Sequence, residues 1–133
     1  QAAVEHYLKA LDKVPQSNRL PRFDLVLLGM GADGHIASLF PGSTLLREQH
    51  RPFGANYVEK LDSWRLSLTL PAINNARHLL LLVCGGKKAD VVRHIMHGES
   101  GAIPLPVELL DSERLEWFLD REAGHLLNDE DEA

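Results

Sequence analysis

Cysteine and long apolar runs are both scarce in this chain, and each shortage removes a class of protein. A single cysteine, Cys84, among 133 residues rules out an intramolecular disulfide framework and fits a reducing compartment, the cytoplasm. No stretch reaches the ~18 consecutive apolar residues of a membrane span, and no basic segment followed by an apolar core opens the sequence. Membrane insertion and secretion are therefore not expected. Positive charge is also short: 14 Lys and Arg against 19 Asp and Glu leave a net charge of −5. Nucleic acids and anionic membrane surfaces select clustered Lys and Arg, so neither is an expected partner. A small anionic molecule is compatible, because it needs only a few local cations.

What remains is an ordinary globular composition, 44% hydrophobic and 25% charged, in a length suited to one domain with a real core. The most informative run extends from Phe23 to Gly42. Leu25, Val26, Leu27 and Leu28 show no polar alternation, which predicts a strand over Asp24 to Leu28 buried on both faces. Such strands belong to parallel sheets whose loops at the carboxyl ends receive ligands. Gly29, Gly31 and Gly34 punctuate the turn that follows, where glycine admits positive φ and lets backbone N–H groups approach a ligand closely. Asp33-Gly34-His35 thus falls at a strand end, with Asp33 placed to orient the imidazole.

Gly29, Gly31 and Gly34 also satisfy the G-x-G-x-x-G spacing of a dinucleotide site. That fingerprint requires a long helix and a second strand ending in an acidic residue about 20 residues on. Here Pro41-Gly42 interrupts the chain soon after His35, and Glu48 lies in a polar stretch, Arg47 to Pro52. A nicotinamide or flavin site is accordingly not expected.

Elsewhere the pattern alternates helix and strand. Val4, Tyr7, Leu8 and Leu11 predict a helix over Ala2 to Lys13 that stops before Pro15. Gln16 to Arg22 reads as a polar linker, a short helical turn is expected near Ile36 to Leu39, and Pro41 to Leu61 reads as an irregular excursion with one extended piece at Tyr57-Val58. Leu66, Leu68 and Leu70 alternate with Ser67 and Thr69, the period of a strand with one polar face. Leu79 to Cys84 is a second apolar strand, with Cys84 inside it. Gly85-Gly86 opens a helix striped by Ala89, Val92, Ile95 and Met96 and ending at Gly98. Leu115 to Leu119 fits strand and helix equally on period alone. His94 and His97, three apart on a predicted helix, lack a third partner and make a poor metal site. Residues 128–133 carry four acidic side chains and read as a frayed tail.

Several segments together resemble the glucosamine-6-phosphate isomerase/6-phosphogluconolactonase family. The run from Phe23 to Gly42 is similar to its signature, Arg65 to Arg77 to its second motif, Leu79 to Ala89 to its strand and glycine-lysine turn, and Leu115 to Ala123 to its closing strand. The likeness covers about Pro21 to Leu127 and implies a Rossmann-like α/β fold, a mostly parallel sheet flanked by helices. Residues 1–127 would be the carboxyl-terminal portion of a single sugar-phosphate domain, with its amino-terminal part missing. It also favours a strand at Leu115 to Leu119, with Asp120 capping a last helix through Leu127.

The resemblance implies hydrolysis of 6-phospho-D-glucono-1,5-lactone to 6-phospho-D-gluconate, a step of the pentose phosphate pathway, without metal or organic cofactor; a monomer is the expectation, with an oligomer left open. Opening a lactone needs a proton removed from water and a proton delivered to the departing ring oxygen, and one imidazole serves both ends. His35 is the candidate base and acid, Asp33 its stabilising partner, and the amides of Gly31 and Gly34 face the substrate. Arg65 and Lys88 are the expected phosphate contacts, with Lys87 the alternative to Lys88. The related deaminases and isomerases carry a glutamate five residues after the histidine, where this chain has Phe40; a phenyl ring exchanges no protons. A non-catalytic sugar-phosphate-binding protein is the other alternative.

Overall fold

A computed structural model describes residues 1–99 and 101–127; the acidic tail over 128–133 lies outside the described residues. Helix α1 (Ala2–Leu11) leads into a minimal hairpin, β1 (Gln16–Ser17) and β2 (Leu20–Pro21), and then into β3 (Leu25–Gly29). The expected linker is thus a tight turn, with Asn18 and Arg19 both at positive φ, the geometry that matches the twist of two antiparallel strands. A second hairpin, β4 (Phe53–Val58) and β5 (Ser63–Leu68), precedes the short helix α2 (Leu70–Asn74). Strand β6 (His78–Val83), helix α3 (Ala89–Met96) and strand β7 (Leu115–Leu119) complete the order.

The three longer apolar strands form a parallel sheet in the order β3-β6-β7. Leu25 pairs with His78 and Gly29 with Leu82, while Leu79 pairs with Leu115 and Val83 with Leu119. Strand β7 settles the ambiguity that periodicity leaves at this segment: its backbone groups are taken up by the central strand. All three strands run the same way, so the loops after Gly29, Val83 and Leu119 emerge along one edge. Gly85 N–H donates to both carboxylate oxygens of Asp120, at 3.1 and 3.0 Å, which ties the second loop to the third.

One face of this sheet carries the core. Leu79, Leu81 and Val83 meet Ile36, Leu39, Ile73, Ala76 and Val92, all fully buried. The opposite face departs from expectation. Leu25 is 51% and Leu27 60% exposed, with Leu82 and Phe118 also open, so β3 is buried on one face and not two. Cys84 lies one residue past β6 and is exposed.

The β4–β5 hairpin is inverted with respect to the usual rule. Register pairs Asn56 with Arg65 and Gly54 with Ser67, and facing partners share a side of the ladder. Asn56 and Ser67 on that side are buried, while Leu66 and Trp64 on the other are exposed. The buried polar side is satisfied by the chain that follows His35. Ser38 N–H donates to Ser67 Oγ at 3.1 Å, Asn56 Nδ2 donates to the Ser38 carbonyl at 3.3 Å, and Ser43 Oγ donates to Asn56 Oδ1. Ile36 to Leu39 is not a helical turn: Leu39 N–H bonds to the Ile36 carbonyl at 2.8 Å with Ala37 at φ 48°, in the left-handed region a right-handed helix excludes. Likewise, Asp120 accepts Ala123 N–H at 2.7 Å as a cap, but the segment it opens is a turn followed by a 3-10 turn at His125–Leu127.

Candidate active site

The loop after β3 folds back on itself. Gly31 N–H donates to the His35 carbonyl at 3.0 Å and Gly34 N–H to the Gly31 carbonyl at 2.9 Å. Both amides are therefore taken up inside the loop, and what these glycines contribute is space. A Cβ at Gly31 would overlap the His35 imidazole, and one at Gly34, which sits at φ 78°, would come within 2.8 Å of the Leu105 side chain. Val107 N–H closes the arrangement by donating to the Gly34 carbonyl at 3.1 Å.

The loop's purpose is visible in one pair. His35 Nδ1 lies 2.6 Å from Asp33 Oδ1, and His35 backbone N–H donates to the same oxygen at 3.1 Å. Burial alone would push the Asp33 carboxyl up, but hydrogen bonds from Lys60 and then from the His35 ring and backbone outweigh it, bringing it from 3.8 down to about 2. An ionised carboxylate only accepts hydrogen bonds, so the neutral form of the ring that fits this contact has its proton on Nδ1 and its lone pair on Nε2. The His35 side chain is 30% exposed, open at one side and not sealed among aliphatic neighbours. Its flat face stacks on Phe40, ring centroids 4.2 Å apart.

Lys88 meets this loop from the second strand end. Its Nζ donates to the Met30 carbonyl at 2.5 Å, joining the start of the glycine turn to the start of α3, whereas Lys87 is exposed. Arg65 stands across the Ser38 segment on the inner side of the hairpin. It is exposed, and no ion pair or hydrogen bond engages it among the described residues. Asp33, His35, Gly31 and Gly34 are thus one unit, Lys88 touches Met30 just before it, and among the described residues no hydrogen bond or ion pair joins the Arg65 side chain to it.

Two residues join the site beyond those the sequence singled out. Lys60, at the hairpin tip, pairs with Asp33 Oδ2 and lies 5.4 Å from the Phe40 ring centroid. Leu105 roofs Gly34. No local pattern marks either, since both meet the loop only through tertiary contact.

Clefts of about 310 and 340 Å³ flank the loop, one touching Ala32 and Leu105, the other Ala37 and Ser38. A larger one of about 610 Å³ lies between α1 and the outer side of the hairpin, and none of the three is lined by a predicted site residue. The lining of the larger one is mainly apolar, and chemistry on an anion belongs with the ionisable groups at the sheet edge. Among the described residues no group of three or more His, Cys, Asp or Glu is arranged to hold a metal ion. His94 instead directs Nδ1 to the Asp90 carbonyl at 2.6 Å.

The fold and site are those of a parallel-sheet α/β protein that presents an aspartate-paired histidine on a glycine turn, with a lysine at the next strand end. The chain belongs to the family of glucosamine-6-phosphate isomerases/6-phosphogluconolactonase, whose model matches residues 1–118. It is similar to the 6-phosphogluconolactonase of Rattus norvegicus, 37% identical over 129 residues, covering 95% of this chain and 49% of the relative. It is also similar to 6-phosphogluconolactonase 3, chloroplastic, of Arabidopsis thaliana, 40% identical over 116 residues, covering 86% of this chain and 35% of that one. Among solved structures, 6-phosphogluconolactonase from Trypanosoma brucei superposes with a TM-score of 0.81 at 28% identity, covering 95% of this chain and 53% of that chain. The chain spans about half the length of the rat relative, 49%. The expected family and Rossmann-like fold class are borne out. No helix among the described residues is long and apolar enough to cross a membrane.

Proposed function

We propose that this chain carries the acid–base site of an enzyme that hydrolyses 6-phospho-D-glucono-1,5-lactone to 6-phospho-D-gluconate. The observation that carries the reading is the 2.6 Å pairing of Asp33 with His35 Nδ1, which leaves Nε2 as the basic nitrogen on a partly open ring. Nε2 takes a proton from water as the oxygen attacks the lactone carbonyl. The tetrahedral intermediate collapses, the bond from the carbonyl carbon to the ring oxygen breaks, and the imidazolium returns its proton to that oxygen. Asp33 stays ionised and stabilises the imidazolium between the two transfers.

The 6-phosphate is assigned to Arg65, exposed and unengaged by ion pair or hydrogen bond among the described residues, and to Lys88, whose ammonium already points to the loop. A guanidinium binds phosphate oxygens bidentately and an ammonium as a point charge. Gly31 leaves room for the His35 imidazole and Gly34 for the Leu105 side chain, so both glycines shape the loop that meets the substrate. Phe40, 8% exposed and stacked on His35, occupies the place where an isomerase would need a proton-exchanging carboxylate, which favours hydrolysis. A cytoplasmic setting is supported by the exposed, unpaired Cys84.

The test is lactone hydrolysis by the full-length protein near neutral pH and at low temperature, where spontaneous opening is slow. His35→Ala is expected to lower kcat by about 10²–10⁴-fold, and Arg65→Ala mainly to raise KM. Full kcat in His35→Ala would overturn the mechanism. Phosphosugar binding without turnover by the unmodified protein would make it a binding protein instead.

A further inference from the structure

We propose that Lys60 is a positioning residue for the acid–base pair, its ammonium holding the second oxygen of Asp33 so that the first stays on His35 Nδ1. The proposal rests on the lactonase reading for its kinetic arm only.

A carboxylate turns about a soft, roughly two-fold torsion, and nothing in the Asp33–His35 pair alone prevents that turn. Oδ1 receives two hydrogen bonds from His35, from backbone N–H and ring. Oδ2 receives one, from Lys60. With both oxygens engaged the carboxylate plane is fixed, and the ring is confined to the tautomer with its proton on Nδ1. Release of Oδ2 would let the carboxylate swing, weaken the demand for that tautomer, and leave the proton on the nitrogen that should act as base.

Lys60 is suited to the task by where it comes from. It sits in the 3-10 turn Glu59–Leu61 that joins β4 to β5, and the hairpin is anchored by Asn56 and Ser67 to Ser38, three residues beyond His35. The same segment that carries the imidazole therefore fixes the base of the arm that reaches over it. Phe40 supports the ammonium 5.4 Å from its ring centroid and the imidazole by stacking at 4.2 Å, so cation and imidazole share one aromatic plate. The remaining charged groups of this turn point elsewhere or carry no contact to the pair: Asp62 accepts from Tyr57 Oη, and Glu59 is exposed.

A purely structural account is weak, because the Lys60 side chain is 56% exposed and exposed ion pairs add little to stability. A direct role on the substrate phosphate is weak as well, since a phosphate drawn to this ammonium would lie beside the Asp33 carboxylate.

The experiment compares Lys60→Met, Lys60→Arg, Asp33→Asn and the Asp33→Asn/Lys60→Met double variant in the full-length protein, each with its thermal midpoint. Lys60→Met is expected to lower kcat about 3- to 10-fold with KM within about two-fold, and Lys60→Arg to recover most of the loss. In the Asp33→Asn background Lys60→Met should cost nothing further, because its partner is already gone. Unchanged kcat in Lys60→Met would overturn the proposal. So would a KM increase of the same size in both backgrounds, which would make Lys60 a substrate cation. Nitrogen-15 NMR of the His35 ring reads the same point without turnover: one tautomer in the parent and Lys60→Arg, a mixture in Lys60→Met. If the parent hydrolyses no lactone, the functional reading fails while the ring spectra still decide for or against Lys60; identical spectra in all three would decide against it.

Discussion

At Gly31 the His35 ring fills the volume that a Cβ would need, so Gly31→Ala must either move the imidazole or open the loop. Displacement of a reacting group by about 1 Å costs on the order of 10²-fold. That loss is the expected outcome for kcat/KM, with circular dichroism unchanged. Asp33 makes a second prediction at this scale, and its sign follows from the direction of the shift. Its carboxyl is lowered in the folded chain from 3.8 to about 2, so the stabilising contribution is complete above the unfolded value and disappears as pH falls through the folded one. Urea midpoints of the parent and Asp33→Asn should therefore differ most above pH ~4 and converge towards pH ~2. A constant difference across that interval would remove the ion-paired carboxylate from the account. The Asp-Gly-His triplet was legible because glycine spacing at a strand end is a local signal. Lys60 was not, since it meets Asp33 from 27 residues away.

Among the elements, the β4–β5 hairpin departs furthest from a reading by pattern. Gly54 and Asn56 lie inside β4, and both types are depleted from strands, so Phe53 to Asn56 reads as irregular and only Tyr57-Val58 as extended. Asn56 is nonetheless 1% exposed, because the surface it meets is backbone and hydroxyl and not hydrocarbon. Asn56→Ala would leave the Ser43 hydroxyl and the Ser38 carbonyl without that partner, and should cost about 1–3 kcal/mol in denaturant unfolding. Strands β3 and β6 were readable for the opposite reason: apolar runs of strand length bounded by glycine leave few alternatives. Their period did not reveal which face would be covered, since leucine occupies both.

Across the whole molecule, that two-sided leucine content separates core from surface in a way mutation can measure. Leu81, fully buried beneath α3 and α2, should lose about 2–5 kcal/mol on replacement by alanine. Leu27, in the adjacent pair of the same ladder but 60% exposed, should change by about 0.5 kcal/mol or less. Chemical denaturation of the two variants side by side checks the contrast, and equal losses would mean that the open face is packed in solution. The convergence of the first two strand ends on one edge was legible from their apolar runs, and that of the third only from the family resemblance. The inverted hairpin and the open face depend on contacts that no short window of residues contains.

The grip of Lys88 on the Met30 carbonyl has a practical outcome for dissecting the enzyme. Truncating that lysine removes a cation and unfastens the histidine-bearing loop in the same stroke, so affinity and turnover would fall together and neither loss could be ascribed to phosphate alone. Arg65, whose side chain makes no hydrogen bond or ion pair among the described residues, is the cleaner probe of the proposed phosphate contact.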